Sequence, residues 1–320
     1  MAPVSLDDVR RAREAIAGRL HRTPTFTSAT LSELAGADVR LKAELFQRTG
    51  SFKPRGVLTN LAALTPDERR AGVITISAGN HAQALAYGAA GEDVDALVVM
   101  WRGASQSKVE ATRAYGAQVD LEAGDPAQAF ERLAELRERS GRTLVHPFDH
   151  PRTIAGAGTV GLEIAEDVPE VDVVVVPVGG GGLISGVATA VKGLVPTARV
   201  VGVEPEGSTA MHSALAAGRP VPVAPRSVAD GLSAPFAGET CLAVCHKLLD
   251  GVVLVSEREI GAGFRFLYGR AKLACEPAGA VATAALLAGK VPLEPGQTVV
   301  AIVSGGNVVP QTASGILAER

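Results

Sequence analysis

The chain has 320 residues, a formal net charge of −3 and no run of basic residues, which excludes a surface built to neutralise nucleic-acid phosphates. Hydrophobic residues make up 47% of it and aromatic ones only 4%, so Ala, Val, Leu and Ile must fill a sizeable core. The most apolar run, 171–178, is interrupted by Asp172 and Pro177 and is too short to span a bilayer.

Taken in chain order, the N-terminus offers neither a charged n-region nor an apolar h-region, so no secretory leader is expected. Residues 5–20 read as a helix, with Ser5 as its cap and Asp7 and Asp8 in the first turn. Strand-like β-branched runs follow at 39–43, 73–76, 94–99, 119–122 and 143–145, then at 173–176, 200–204, 252–255 and 299–303. Most are continuously apolar, as parallel strands covered on both faces must be. Ala-rich stretches such as 126–140 are long enough for crossover helices. The expectation is a doubly wound α/β protein. Residues 72–146 form a complete strand–helix set, predicted to be a small domain inserted into a larger one made of 1–71 and 147–320.

Cys241, Cys245 and Cys275 have no paired framework, which points to a reducing compartment and a cytoplasmic protein. Cys241 and Cys245 lie four apart, as small core residues on one helix face do, and a zinc site would need further ligands nearby.

Four Gly-bearing turns carry the chemistry. In Thr49-Gly50-Ser51-Phe52-Lys53-Pro54-Arg55-Gly56, a lysine follows an aromatic residue where the chain runs from strand to helix. Most lysines are solvated surface charges, but one desolvated at such a turn has a lowered pKa and an amine free for imine formation. Gly179-Gly180-Gly181-Gly182-Leu183 follows a buried strand and precedes an Ala-rich helix, so its N–H groups can converge on a phosphate. No lysine follows to complete a Walker loop. Gly180, Gly182 and Gly186, with Glu204 about twenty residues on, fit a relaxed dinucleotide fingerprint, which gives Lys53 no role. Ser77-Ala78-Gly79-Asn80-His81, after another strand, makes a small cradle suited to a carboxylate, although Asn80 could simply cap the helix. Ser304-Gly305-Gly306-Asn307 ends the last strand, at the sheet edge where ligands collect.

Together with Gly202-Val203-Glu204-Pro205, Ala229-Asp230-Gly231 and Cys275-Glu276-Pro277-Ala278-Gly279, these motifs resemble the fold-type II pyridoxal-phosphate enzymes, in particular the serine/threonine dehydratase and serine racemase group. They run in family order from about residue 20 to 310. The resemblance implies two α/β domains with parallel or mixed sheets, of the tryptophan synthase β type, and pyridoxal 5'-phosphate as cofactor. It implies Lys53 as the Schiff-base lysine and catalytic base, with Phe52 beside the cofactor ring. Asn80 would bond the ring hydroxyl, and Gly179, Gly180, Gly181, Gly182 and Leu183 would hold the phosphate. Ser304 would face the pyridine nitrogen, with Gly231 and Glu276 lining the pocket. Ser77, Gly79, Asn80 and His81 would bind the substrate carboxylate.

The activity implied is α,β-elimination of water from threonine, serine or a related 3-hydroxy amino acid, giving a 2-oxo acid and ammonia. Serine racemisation and β-replacement by a thiol, on the same fold, are the alternatives, and a non-enzymatic ligand-binding protein is a further one. Racemases of the group carry a serine where Ala78 stands, which favours dehydration. Of the group's divalent-cation site only Glu204 remains as an acid, Ser208 and Ala210 occupying the other positions, so a cation is doubtful. Segments 100–105 and 156–159 also depart from the group, which leaves phenylserine and hydroxyaspartate as candidate substrates. A homodimer is expected by resemblance, and no regulatory domain follows the last motif. His146 and His150 read as loop residues at the domain crossing rather than metal ligands.

Overall fold

The computed structural model describes residues 4–319; Met1 to Pro3 and Arg320, which belong to the segments read for a leader and a chain end, lie outside the described residues. Two sheets organise the fold. The larger comprises β1 (Thr25–Thr27), β2 (Asp38–Ala43), β7 (Val173–Pro177), β8 (Arg199–Pro205), β9 (Gly251–Val255) and β10 (Thr298–Val303), in the order β1-β2-β10-β7-β8-β9. The smaller comprises β3 (Val73–Ile76), β4 (Ala96–Trp101), β5 (Gln118–Ala123) and β6 (Thr143–Leu144), in the order β5-β4-β3-β6. Every pairing is parallel except β1 with β2, which is antiparallel and makes the larger sheet mixed.

The continuous apolar runs in the sequence have their physical explanation here. β7 and β10 are buried along their whole length because helices cover both faces. Val173 and Val175 face one core cluster, while Val174 and Val176 face the other. Each such side chain contributes roughly 1.5–3 kcal/mol on removal from water.

Three local expectations shift. β1 carries two threonines on an exposed sheet edge and is absent from the apolar runs. The first helix is Leu6–Ala15, with the Ser5 cap as expected, but it ends before Leu20 because Gly18 turns the chain left-handed (φ 72°). Val94 does not start β4, because its N–H closes the end of the preceding helix on the Ala89 carbonyl. Among the described residues no helix is long and apolar enough to cross a membrane.

This topology sets the site's position. The C-terminal ends of β2, β10, β7 and β8 lead into Glu44, Ser304, Val178 and Glu206, and β3 leads into Ser77. In an open α/β sheet that edge is where loops and helix N-termini meet a ligand.

Candidate active site

Lys53 opens the helix Lys53–Ala62, with Pro54 in its first turn. The segment ahead is docked on the end of β10: the Phe52 N–H donates to the Ser304 carbonyl at 3.2 Å, and Ser51 bridges Gly305. The Lys53 ammonium donates to the Pro147 carbonyl at 2.9 Å and stands 5.1 Å from the centre of the Phe52 ring. Burial lowers its pKa to about 8. The nearest acids compensate weakly: burial holds the Cys241 thiol well above its usual range and raises Glu276 to about 7.

The tetraglycine loop lies between β7 and the helix Gly182–Leu194. Gly181, its cap, has φ 100° and supplies no side-chain bond. Backbone N–H groups from Gly179 to Leu183 take no partner among the described residues. Two neighbouring helices are treated differently. Asp149 caps the helix Glu239–Leu248, accepting from the Glu239, Thr240 and Cys241 N–H groups at 2.9, 3.0 and 3.2 Å. Glu204 caps the helix Ala210–Ala217, accepting from Met211 and His212 at 2.8 Å each. The protein thus places its own carboxylates on two helix starts and leaves the third uncapped, a geometry able to receive an anion.

A second start is also free. The helix Asn80–Gly91 is capped by Gly79 with no side-chain bond, and the Ser77 hydroxyl accepts from the Gly79 N–H at 3.2 Å. Asn80 does not spend its side chain on capping. Its Nδ2 donates to Glu276 Oε1 at 2.7 Å, and its Oδ1 accepts from Asn307 Nδ2 at 2.8 Å. Glu276 sits at the start of the helix Pro277–Leu287, and Gly231 lies against it, an added Cβ there coming within 3.5 Å of Glu276 Oε1 and 3.0 Å of Ala278. Asn80, Glu276 and Gly231 therefore lie in contact with one another, and Gly305, next to Ser304, lies against Glu276.

The His81 ring turns to a partner of its own. Its Nε2 donates to the Val145 carbonyl at 3.0 Å, and its buried Nδ1 has no partner. Burial first, and then the Lys53 charge, lower its pKa to about 3, so the ring is neutral. Only its backbone N–H remains for a carboxylate. Glu204, the one acid left at the expected cation position, has both oxygens on the helix cap, and Ser208 donates to the Leu232 carbonyl at 2.9 Å. Among the described residues no three His, Cys, Asp or Glu side chains gather closely enough to hold a metal ion. Glu204→Ala should lower stability by about 1–2 kcal/mol through the lost cap, measured by urea unfolding, with the same midpoint in chelator and in magnesium. A midpoint that rises with magnesium in the wild type alone would restore the metal.

Several contributors escaped the sequence reading. Pro147 supplies the lysine's acceptor, and Asn307 ties Asn80 to the Thr49 carbonyl (Nδ2 to O, 2.7 Å). Phe148 packs its ring against Gly180 and, at 5.8 Å, against Phe236. His146 and His150 act on the loop itself, their Nδ1 atoms accepting from Asp149 and Arg152 N–H groups at 2.8 and 3.2 Å. The Asn307 partnership was hinted at by the amide-bearing glycine turn; a proline carbonyl carries no sequence signal.

The sequence signature of the pyridoxal-phosphate dependent enzymes matches residues 16–305. The chain belongs to that family. Among its relatives, the L-threonine ammonia-lyase of Thermotoga maritima is 43% identical over 306 residues, 95% of this chain and 76% of that one. A phenylserine dehydratase of Ralstonia pickettii is 44% identical over 268 residues, 83% of this chain and 82% of that one. Among solved structures, maize serine racemase superposes with a TM-score of 0.94 at 35% identity, covering 98% of this chain and 97% of that one. The fold is therefore that of the fold-type II enzymes.

The residues present fit the family's cofactor. The unpartnered N–H groups at a glycine-capped helix suit a dianionic phosphate, and the loop behind them is packed so closely that a Cβ on Gly181 would lie 2.5 Å from Met211 and 2.8 Å from Cys241. A desolvated amine stands beside it.

Proposed function

We propose that this pyridoxal-phosphate enzyme is an ammonia-lyase, a dehydratase that converts L-threonine, L-serine or a related 3-hydroxy amino acid to a 2-oxo acid and ammonia. The observation that carries the reading is the combination of a desolvated Lys53 amine with two uncapped helix starts, one for a phosphate and one for a carboxylate. The names of the threonine and phenylserine lyases among the relatives support the reaction class.

In this reading Gly179–Leu183 hold the phosphate, Asn80 and Ser304 orient the ring, and Glu276 holds Asn80. Bound there, pyridoxal phosphate supplies an aldehyde to capture the substrate amine and a conjugated ring to draw electrons from Cα–H. The substrate carboxylate takes the N–H groups at the start of the Asn80 helix, with the Ser77 hydroxyl beside them. Lys53, neutral near its pKa of about 8, receives the Cα proton. Ser304 would offer the ring a neutral hydroxyl rather than a carboxylate, and with it the cofactor would supply a milder electron sink. A smaller domain of about 72–146 inserted into the larger one, a homodimer and a cytoplasmic setting complete the proposal. The free, buried state of all three cysteines supports the reducing compartment.

The test is 2-oxo acid release across threonine, serine, phenylserine and hydroxyaspartate, with and without magnesium. Release from none of them would refute the reading, and a thioether formed on adding thiol would replace it with β-replacement. Racemisation is the second reading, favoured by the superposition on serine racemase. Ala78 stands directly before Gly79 and Asn80 and offers no hydroxyl to the second face of the substrate. D-serine formation should therefore stay below about one hundredth of pyruvate formation, and Ala78→Ser should raise it at least about tenfold, followed by chiral chromatography.

A further inference from the structure

We propose that Arg55 is a positioning residue for Lys53, and that the buried charge lattice it anchors fixes where the reactive amine stands. The proposal rests on Lys53 being that amine. The two residues share the first turn of one helix, about 200° apart around its axis, so they point to opposite sides. Lys53 reaches the Pro147 carbonyl; Arg55 runs into the interior, where it is 2% exposed. Its Nε and Nη2 fork onto Glu44, at 2.8 Å to Oε2 and 2.8 Å to Oε1. Its Nη1 donates to Glu163 Oε1 at 2.7 Å and to the Thr159 hydroxyl at 3.0 Å. Glu163 Oε2 in turn meets the Lys42 ammonium at 2.8 Å, which also donates to the Thr23 carbonyl at 2.8 Å.

Arg55 and Lys42, with Glu44, Glu163 and Asp167, whose Oδ2 accepts from Lys42 at 3.2 Å, join the lysine's helix to β2, to the turn after it and to the helix Pro151–Asp167. Burial alone would lower the Arg55 pKa, but Glu44 and Glu163 outweigh it and the guanidinium stays charged. Burial likewise works to raise Glu163, and Arg55 with Lys42 brings it below its ordinary value.

Stability does not explain such a device, since apolar residues of equal volume serve as well or better. A bidentate guanidinium fork is directional in a way that apolar packing is not. The helix that receives Arg55 begins four residues after Pro147, so one element fixes both the lysine's backbone and its acceptor. The two helices also touch without slack: a Cβ on Gly56 would lie 2.9 Å from the Thr153 carbonyl. With that spacing set by glycine contact, Arg55 determines their register.

The test compares wild type, Arg55→Lys, which keeps the charge and loses the fork, and Ile316→Ala, a remote core truncation in the helix Pro310–Ala318 that lowers the melting temperature. In cofactor-free protein the pH dependence of Lys53 labelling by an amine reagent is read by peptide mass spectrometry; in loaded protein kcat and KM are measured. For Arg55→Lys we expect kcat to fall about 10–100-fold with KM within about threefold, and the labelling midpoint to move by about one pH unit or more. Ile316→Ala should change neither. Wild-type kcat and midpoint in Arg55→Lys would overturn the proposal, as would the same changes in Ile316→Ala. Should Arg55→Lys not fold, Glu44→Gln keeps the side chain's volume and breaks the bidentate fork; an unchanged kcat and midpoint there would overturn the proposal. If Lys53→Ala turned over normally, the failure would lie with the lysine's assignment and not with Arg55.

Discussion

Lys53→Ala is expected to reduce 2-oxo acid release on the order of 10⁴-fold or more, because it removes both the covalent anchor and the proton acceptor. The variant should nevertheless melt no lower than wild type, and below pH 8 it should melt higher. The folded state holds Lys53 at a pKa of about 8 against an ordinary 10.5, so it disfavours the protonated amine that the unfolded chain carries freely. Wild-type stability therefore rises with pH between those values, and the variant lacks that rise. The same depression predicts the pH dependence of cofactor uptake by the cofactor-free protein, followed by the absorbance of the bound group. Uptake should increase tenfold per pH unit below about 8 and level off above it. At pH 7 about one amine in ten is neutral, some 300-fold more than for a solvated lysine. A midpoint near 10.5, or turnover by the alanine variant, would remove Lys53 from the centre of the site.

Gly181→Val should weaken pyridoxal phosphate binding by on the order of 100-fold and cost about 1–3 kcal/mol of stability. The residue holds φ 100°, and a Cβ there would lie 2.5 Å from Met211 Cε and 2.8 Å from Cys241 Cβ. Met211 Cε ends a flexible side chain and can shift, but Cys241 Cβ is fixed at the helix start that Asp149 caps, so the loop cannot give way there without disturbing that cap. Gly218 has a similar left-handed backbone (φ 66°) with open space around it, so Gly218→Ala separates strain from collision. Equilibrium dialysis and thermal melting read the two effects. Unchanged cofactor affinity in Gly181→Val would mean that the anion lies elsewhere.

Much of this was legible in the chain. Alternation of apolar runs with Ala-rich stretches specified an α/β protein, since parallel strands buried on both faces must be apolar throughout. Lys53, Gly179–Leu183, Asn80 and Ser304 could be singled out as candidates because each sits in a glycine-bearing turn after a strand, a local pattern that elementary sterics makes conspicuous. What the sequence left open was chemistry that depends on the partner. Glu204 has a ligand's residue type and its carboxylate is spent on a helix 7 and 8 residues further on. His81 has a carboxylate binder's residue type, and its ring turns instead to the Val145 carbonyl. β1 was invisible because an edge strand needs no apolar face.

The sequence by itself determined the residue types, the order of the elements and the glycine turns, because these follow from local sterics and from which faces must leave water. Only the tertiary structure decided which helix starts the protein caps with its own carboxylates and which it leaves free, because Asp149 reaches its helix across 90 residues. It also decided that Lys53 is desolvated and that Arg55, two residues on, is a buried anchor. Burial and pairing are properties of what surrounds a side chain, and those surroundings come from segments that only folding brings together.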